Sequence, residues 1–183
     1  MARVETSRLT LSLKPPEVRA FGGLLQRGVA VPAETGCSVL RFFTDQLGIH
    51  PEYVAARITT VFMDGKVVDA LDAAKLRDGS LLALSAALPG LVGATLRRSG
   101  TYSAMRSEIT RAADDPGQPF AIPVEGIVRV KLFNLLIEEL GPLLLTHGIL
   151  LEREEARDVL EGFRPHVAEG SAGTRVFLRA CFA

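Results

Sequence analysis

Tryptophan is absent from the 183 residues, aromatics make up 6%, and lysine occurs only at Lys14, Lys66, Lys75 and Lys131. Cysteine occurs twice, at Cys37 and Cys181. Two cysteines exclude a four-cysteine zinc site, and neither stands at ligand spacing from His50, His147 or His166, so no metal site is expected. One long-range disulfide can be drawn, but two thiols in a reducing compartment are the expected state. Net charge is missing as well, because 21 Lys plus Arg balance 21 Asp plus Glu. That removes any global drive toward nucleic acid or an anionic membrane. The richest apolar stretch, 143–151, is too short and interrupted to span a bilayer. The opening MARVETSRLTLSLKPPE carries charges throughout and lacks the apolar segment of a signal peptide, so a cytoplasmic location is expected.

What is present is a chain that can fold. Hydrophobic residues reach 48%, which excludes bulk disorder, and the length suits one sizeable core or two small domains. Leu9, Leu11 and Leu13 alternate with polar residues, the period of a half-buried strand, and Pro15-Pro16 stops it. Val29 and Val31 suggest the return strand of a hairpin. Val39, Leu40, Phe42, Phe43 and Leu47 recur at helical spacing behind caps at Thr35 and Ser38, and Gly48 ends that helix. Asp64-Gly65 between β-rich runs predicts a hairpin, since a type I′ turn needs positive φ. Asp78-Gly79 is a second such turn, before a strand over 81–85. The first 88 residues or so therefore read β-β-α-β-β. Residues 89–100 read as a linker or an ordered loop, 101–113 as a short helix around Met105 and Ile109, and Asp114-Asp115-Pro116-Gly117 as a boundary. Beyond it, 127–133 reads as a strand with one basic face, Arg129 and Lys131. Asn134 caps a following helix, which Gly141-Pro142 breaks, leaving a second short helix that ends at Gly148. A helix over 152–162 and a final strand over 174–182, with Arg175 and Arg179 opposite Val176 and Leu178, complete a β-α-α-β region.

Three pieces carry a family likeness: Gln46-Leu47-Gly48-Ile49 ending the helix, Val61-Phe62-Met63-Asp64-Gly65 at the strand-turn, and Leu76-Arg77-Asp78-Gly79-Ser80 before the last strand. In that order they resemble the molybdopterin-synthase small subunit and thiamine sulfur-carrier family, which is ubiquitin-like. The resemblance covers about the first hundred residues. It implies an α+β chain with an N-terminal β-grasp domain over 1–100, a connector over 101–118, and a small α/β region over 119–183 packed on the first domain or sharing its sheet. A weaker echo lies in VRVKLFNLLIEELG, 128–141, which looks like the opening strand and helix of the same family. A degenerate duplication would account for it.

Carriers of this family work through a C-terminal Gly-Gly carboxylate that is adenylated and converted to a thiocarboxylate. This sequence runs on past Pro89-Gly90-Leu91-Val92-Gly93 to Cys181-Phe182-Ala183. Carrier chemistry is therefore expected only after processing at Gly93 or Gly100, which would expose a glycine carboxylate. A separate expectation is an anion site, in which glycine-rich backbone at Gly90 and Gly93 joins the guanidinium groups of Arg97, Arg98 and Arg106 around a phosphate. The plainer reading is a connector with ordinary arginines, since neither a Walker loop nor a GxGxxG fingerprint is present. His147 reads as a helix-end cation and Cys37 as a small buried hydrophobe. No catalytic set and no cofactor emerge. The expected function is a non-enzymatic module that binds another protein, with homo-oligomer formation left open and with the processed carrier and the phosphate or small-molecule binder as alternatives.

Overall fold

The computed structural model describes residues 6–87, 90–98, 100, 110, 122–161, 163, 166–168 and 174–182. Leu11 and Leu13 face inward and Arg8, Thr10 and Ser12 outward along β1 (Thr6–Leu13), as the two-residue period requires. Pro15 and Pro16 open a 3-10 helix (Pro15–Phe21), where the Glu17 carboxylate accepts from the Lys14 N–H at 2.6 Å. The chain continues as α1 (Gly22–Arg27), turns at Gly28 with φ +108°, and enters β2 (Val29–Thr35). Ser38 caps α2 (Val39–Arg41), its Oγ accepting from the Arg41 N–H at 3.2 Å. A π-helical stretch (Phe42–Gln46) extends α2 and buries both Phe42 and Phe43. After α3 (Pro51–Arg57) come β3 (Thr60–Met63) and β4 (Lys66–Val67), joined at Asp64-Gly65 with φ of +52° and +81°. That is the expected type I′ turn. β5 (Leu81–Ser85) leads to α4 (Gly90–Leu96), inside the stretch expected to be a linker.

The remaining elements are β6 (Val124–Phe133), α5 (Leu136–His147), β7 (Ile149–Glu152), α6 (Arg153–Leu160), β8 (His166–Ala168) and β9 (Arg175–Phe182). The strand over 127–133, the helix over 152–162 and the last strand are all found. β7 and β8 were not foreseen; each is only a few residues long and shows no full alternation. The expected break at Gly141-Pro142 does not occur, and α5 runs through it. Gly141 has no Cβ to meet the proline ring, and the lost bond falls at exposed Glu138, where water can serve the carbonyl. Gly141 also lets α5 sit close to its neighbours: a Cβ there would lie 2.9 Å from Val18 Cγ1 and 3.0 Å from Leu25 Cδ1. Asn134 does not cap α5. It takes φ +55° and donates from Nδ2 to Ser85 Oγ at 3.2 Å.

The described strands form one mixed sheet in the order β4-β3-β5-β6-β2-β7-β9-β1-β8. β1 does not return as a hairpin on β2. The segment between them holds two short helices, long enough for the crossover of about a dozen residues that parallel strands need. β1 runs parallel to β9, β9 antiparallel to β7, and β7 antiparallel to β2, so β1 and β2 point the same way. β6 and β7 likewise share one direction, each being antiparallel to β2. Two strand-helix-glycine-strand units thus interlock, with β2 seated between β6 and β7. The place expected for β1 beside β2 is taken by β6, in register from Val29↔Val130 to Thr35↔Val124. β6 also runs parallel to β5.

A single apolar cluster covers one face of the sheet. Strand residues such as Val31, Val130, Leu84 and Leu178 meet Phe21 and Leu25 from the N-terminal helices and Leu140 and Leu144 from α5. Side chains of this size each contribute about 1.5–3 kcal/mol on full burial. Among the described residues no helix is long and apolar enough to cross a membrane.

Candidate functional site

The alternation that sends Val29, Val31, Val128, Val130, Val176 and Leu178 into the core sends their neighbours to the opposite face of the sheet. One register row crosses this face: Leu81↔Arg129, Arg129↔Ala30, Ala30↔Leu150, Leu150↔Phe177 and Phe177↔Arg8. Its centre, Ala30–Leu150–Phe177, is apolar and half-buried, and its two flanks are exposed arginines. Ile127 and Pro32 widen the apolar floor, and Lys131, Arg175 and Arg179 lie beside it. A recess of about 130 Å3 sits here, where Ala30, Ile127 and Leu150 meet the charged side chains of Arg129, Arg175, Glu152 and Glu155.

The backbone beneath this face is shaped for close cover. Gly28 lies under Lys131, where a Cβ would come within 2.8 Å of Cγ. Gly148, at φ +109°, lies under Phe177, and a Cβ there would run into the ring. Both positions follow a helix and begin a strand, so the two interlocked units present the same opening twice. Three cations are anchored: Arg129 Nη1 donates to Gly28 O at 3.4 Å, Arg179 Nε to Thr146 O at 2.7 Å, and Arg175 Nε to Glu152 Oε1 at 3.0 Å.

Further along β2 and β6 the character reverses. Glu34 and Glu125 stand opposite one another in register, and both are exposed. With Asp78, Gln46, Pro32 and His147 they line a cleft of about 780 Å3. Gln46 grips the Glu34 backbone from both sides, Oε1 accepting from its N–H at 2.8 Å and Nε2 donating to its carbonyl at 2.9 Å. Asp78 Oδ1 accepts from the Ile127 N–H at 2.8 Å. His147, the last residue of α5, contacts Pro32 O through Nε2 at 2.9 Å, so that nitrogen carries the proton. The imidazole tethers α5 to β2. Among the described residues no group of three or more His, Cys, Asp and Glu could hold a metal ion.

The residues expected to bind an anion are only partly together. Gly90, with φ +71°, opens α4, and Gly90, Gly93 and Arg97 line a cleft of about 330 Å3 with Thr59, Ala86 and Ala87. Arg98 is engaged elsewhere. Its Nη2 donates to Val54 O at 2.8 Å and Ile58 O at 2.7 Å, and its Nε to Ile58 O at 3.0 Å. It thus serves the last carbonyls of α3, where a cation suits the helix dipole. Burial pushes its pKa below the ordinary guanidinium value. Arg106 lies outside the described residues. Gly93 is buried within α4, and Gly100 donates its N–H to Arg97 O at 3.2 Å. Both precede β6 in the chain.

Cys37 is a buried free thiol that donates to Glu34 O at 3.2 Å, and burial pushes its pKa up, away from a reactive thiolate. Cys181 is also free, and exposed. Alternation marks a basic side on β6 and on β9. That the two share a face, with Ala30, Leu150 and Phe177 between them, depends on long-range strand pairing, which no local pattern carries. No family model, curated protein or solved structure matches the chain.

Proposed function

We propose that this chain is a non-enzymatic protein-binding module whose docking surface is the open face around Ala30, Leu150 and Phe177. The observation that carries the reading is the row from Arg129 to Arg8, an apolar centre with charged ends. Protein interfaces combine such a centre, which loses its water on contact, with a polar rim that stays wet. We further propose that the unit behind this face is a β-grasp of the ubiquitin-like sulfur-carrier kind, completed in space by β6. Strand β2, helix α2, and strands β3, β4 and β5 follow the expected order. β6 adds the missing first strand, and it belongs to the stretch 128–141 that itself resembles the family's opening strand and helix.

The alternatives have less support. A carrier tail made by cleavage at Gly93 or Gly100 would sever the covalent link to β6, which lies between β5 and β2. A phosphate site at Gly90 and Gly93 would lack the guanidinium of Arg98, which is committed to carbonyls. The test is an affinity capture from the native host with the intact chain, a Leu150→Ser, Phe177→Ser variant, and a Leu143→Ser control. Leu143 is exposed on α5, away from the open face. A partner retained by the intact chain and the control, and lost by a face variant that still melts cooperatively, is the expected result. Unchanged capture by the face variant would remove the docking reading.

A further inference from the structure

We infer that the segment received by this face is acidic, an Asp/Glu-rich stretch of a partner protein carrying one or two apolar anchor side chains. The inference rests on the docking reading above and adds the chemistry of the partner. Five cations, Arg8, Arg129, Lys131, Arg175 and Arg179, ring the Ala30–Leu150–Phe177 floor. Among the described residues, Glu152 is the one carboxylate in salt-bridge contact with any of them. The chain as a whole is neutral, so this concentration of positive charge is local. An acidic segment laid over the floor would meet cations on both sides while an apolar side chain rests on Ala30 and Leu150.

The same face sets a limit at one end. Glu34 is four residues beyond Ala30 on β2, about 13 Å along the strand, and it faces Glu125. An acidic segment that slid that way would meet two carboxylates. Like-charge contact of this sort suppresses wrong registers and wrong partners. The geometry favours a polypeptide over a nucleic acid. Three adjacent strands give a floor about 10 Å wide, suited to one extended segment or one helix. Phe177 is the single aromatic in it, which leaves successive bases no stacking platform.

The test uses the full chain and fluorescence anisotropy with three probes: a short Glu-rich peptide bearing two leucines, its Lys-for-Glu counterpart, and an oligothymidine of matched charge. The expected result is saturable binding of the acidic peptide that weakens with added salt, with no binding of the lysine peptide. An Arg129→Glu, Lys131→Glu variant should bind it about tenfold more weakly. An Arg8→Glu variant, on the opposite flank, gives the same readout should the first variant fail to melt cooperatively. Failure of the acidic peptide to bind, equal binding of the lysine peptide, tighter binding of the oligothymidine, or indifference to charge reversal would each overturn the inference. The capture experiment separates the two ideas. A partner lost with Leu150→Ser, Phe177→Ser alongside a silent acidic probe would leave the docking face standing and remove only its acidic specificity.

Discussion

Glu139 ties two helices that are far apart in sequence. Its carboxylate on α5 accepts from the Tyr53 hydroxyl and from Arg57 Nη2, and Arg57 Nε adds a bond at 3.2 Å, both partners being on α3. Arg57 first, and Tyr53 after it, hold the Glu139 pKa below the ordinary glutamate value. The Tyr53 phenol moves up, chiefly through burial, with the neighbouring carboxylate adding to it. A carboxylate whose pKa is depressed on folding stabilises the protein above its unfolded pKa, about 4.3. That contribution is lost as pH falls through the lower folded value. Glu139→Gln should therefore have a lower urea midpoint than the intact chain at pH 7, with the gap closing toward pH 3. A gap that persists unchanged at pH 3 would show that the ionised carboxylate is not what matters. Neither tie was legible in the sequence, where Tyr53 and Glu139 lie 86 positions apart and each reads as a helix residue. The Asp64-Gly65 turn was legible because it states a backbone geometry locally, whereas at Asp78-Gly79 only the glycine takes positive φ, so the expected second type I′ turn does not form there.

At the scale of elements, sequence periodicity and fold agree on what most segments are and differ on what they touch. β1, α2, β3, β5, β6 and β9 were recognisable because alternation, helical spacing and turn chemistry are local. Pairing is not local. Leu9, Leu11 and Leu13 alternate equally well for a hairpin with β2 and for the observed parallel ladder with β9. Gly141-Pro142 reads as a stop on local grounds, yet packing against Val18 and Leu25 carries α5 through it. α4 was hidden because its glycine-rich stretch gives no helical pattern. The interlock has a consequence for dissection. β6 lies between β5 and β2, and β7 and β9 lie between β2 and β1, so each half leaves open ladders in the other. A fragment of residues 1–118 should show no dispersed amide spectrum alone, and should gain one when mixed with residues 119–183. A well-dispersed spectrum from 1–118 alone would mean that the first half is complete without β6.

Across the whole molecule, a neutral composition conceals a segregated surface. Cations gather around the apolar row of the open face, while Glu34, Glu125 and Asp78 gather at the cleft beyond it. Nothing in overall charge announces this, because β6 and β9 acquire a common face only when β2 and β7 are placed between them. The helical layer and its core cover one side of the sheet, and the arginine-flanked strip on the other side is the proposed docking surface. The most direct test of that division is photocrosslinking in the native host, with a benzoyl-phenylalanine placed at position 150 on the open face and, separately, at position 143 on α5. The account predicts a discrete crosslinked protein from position 150 that is absent from position 143. Crosslinking from 143 alone, or from neither position, would contradict it.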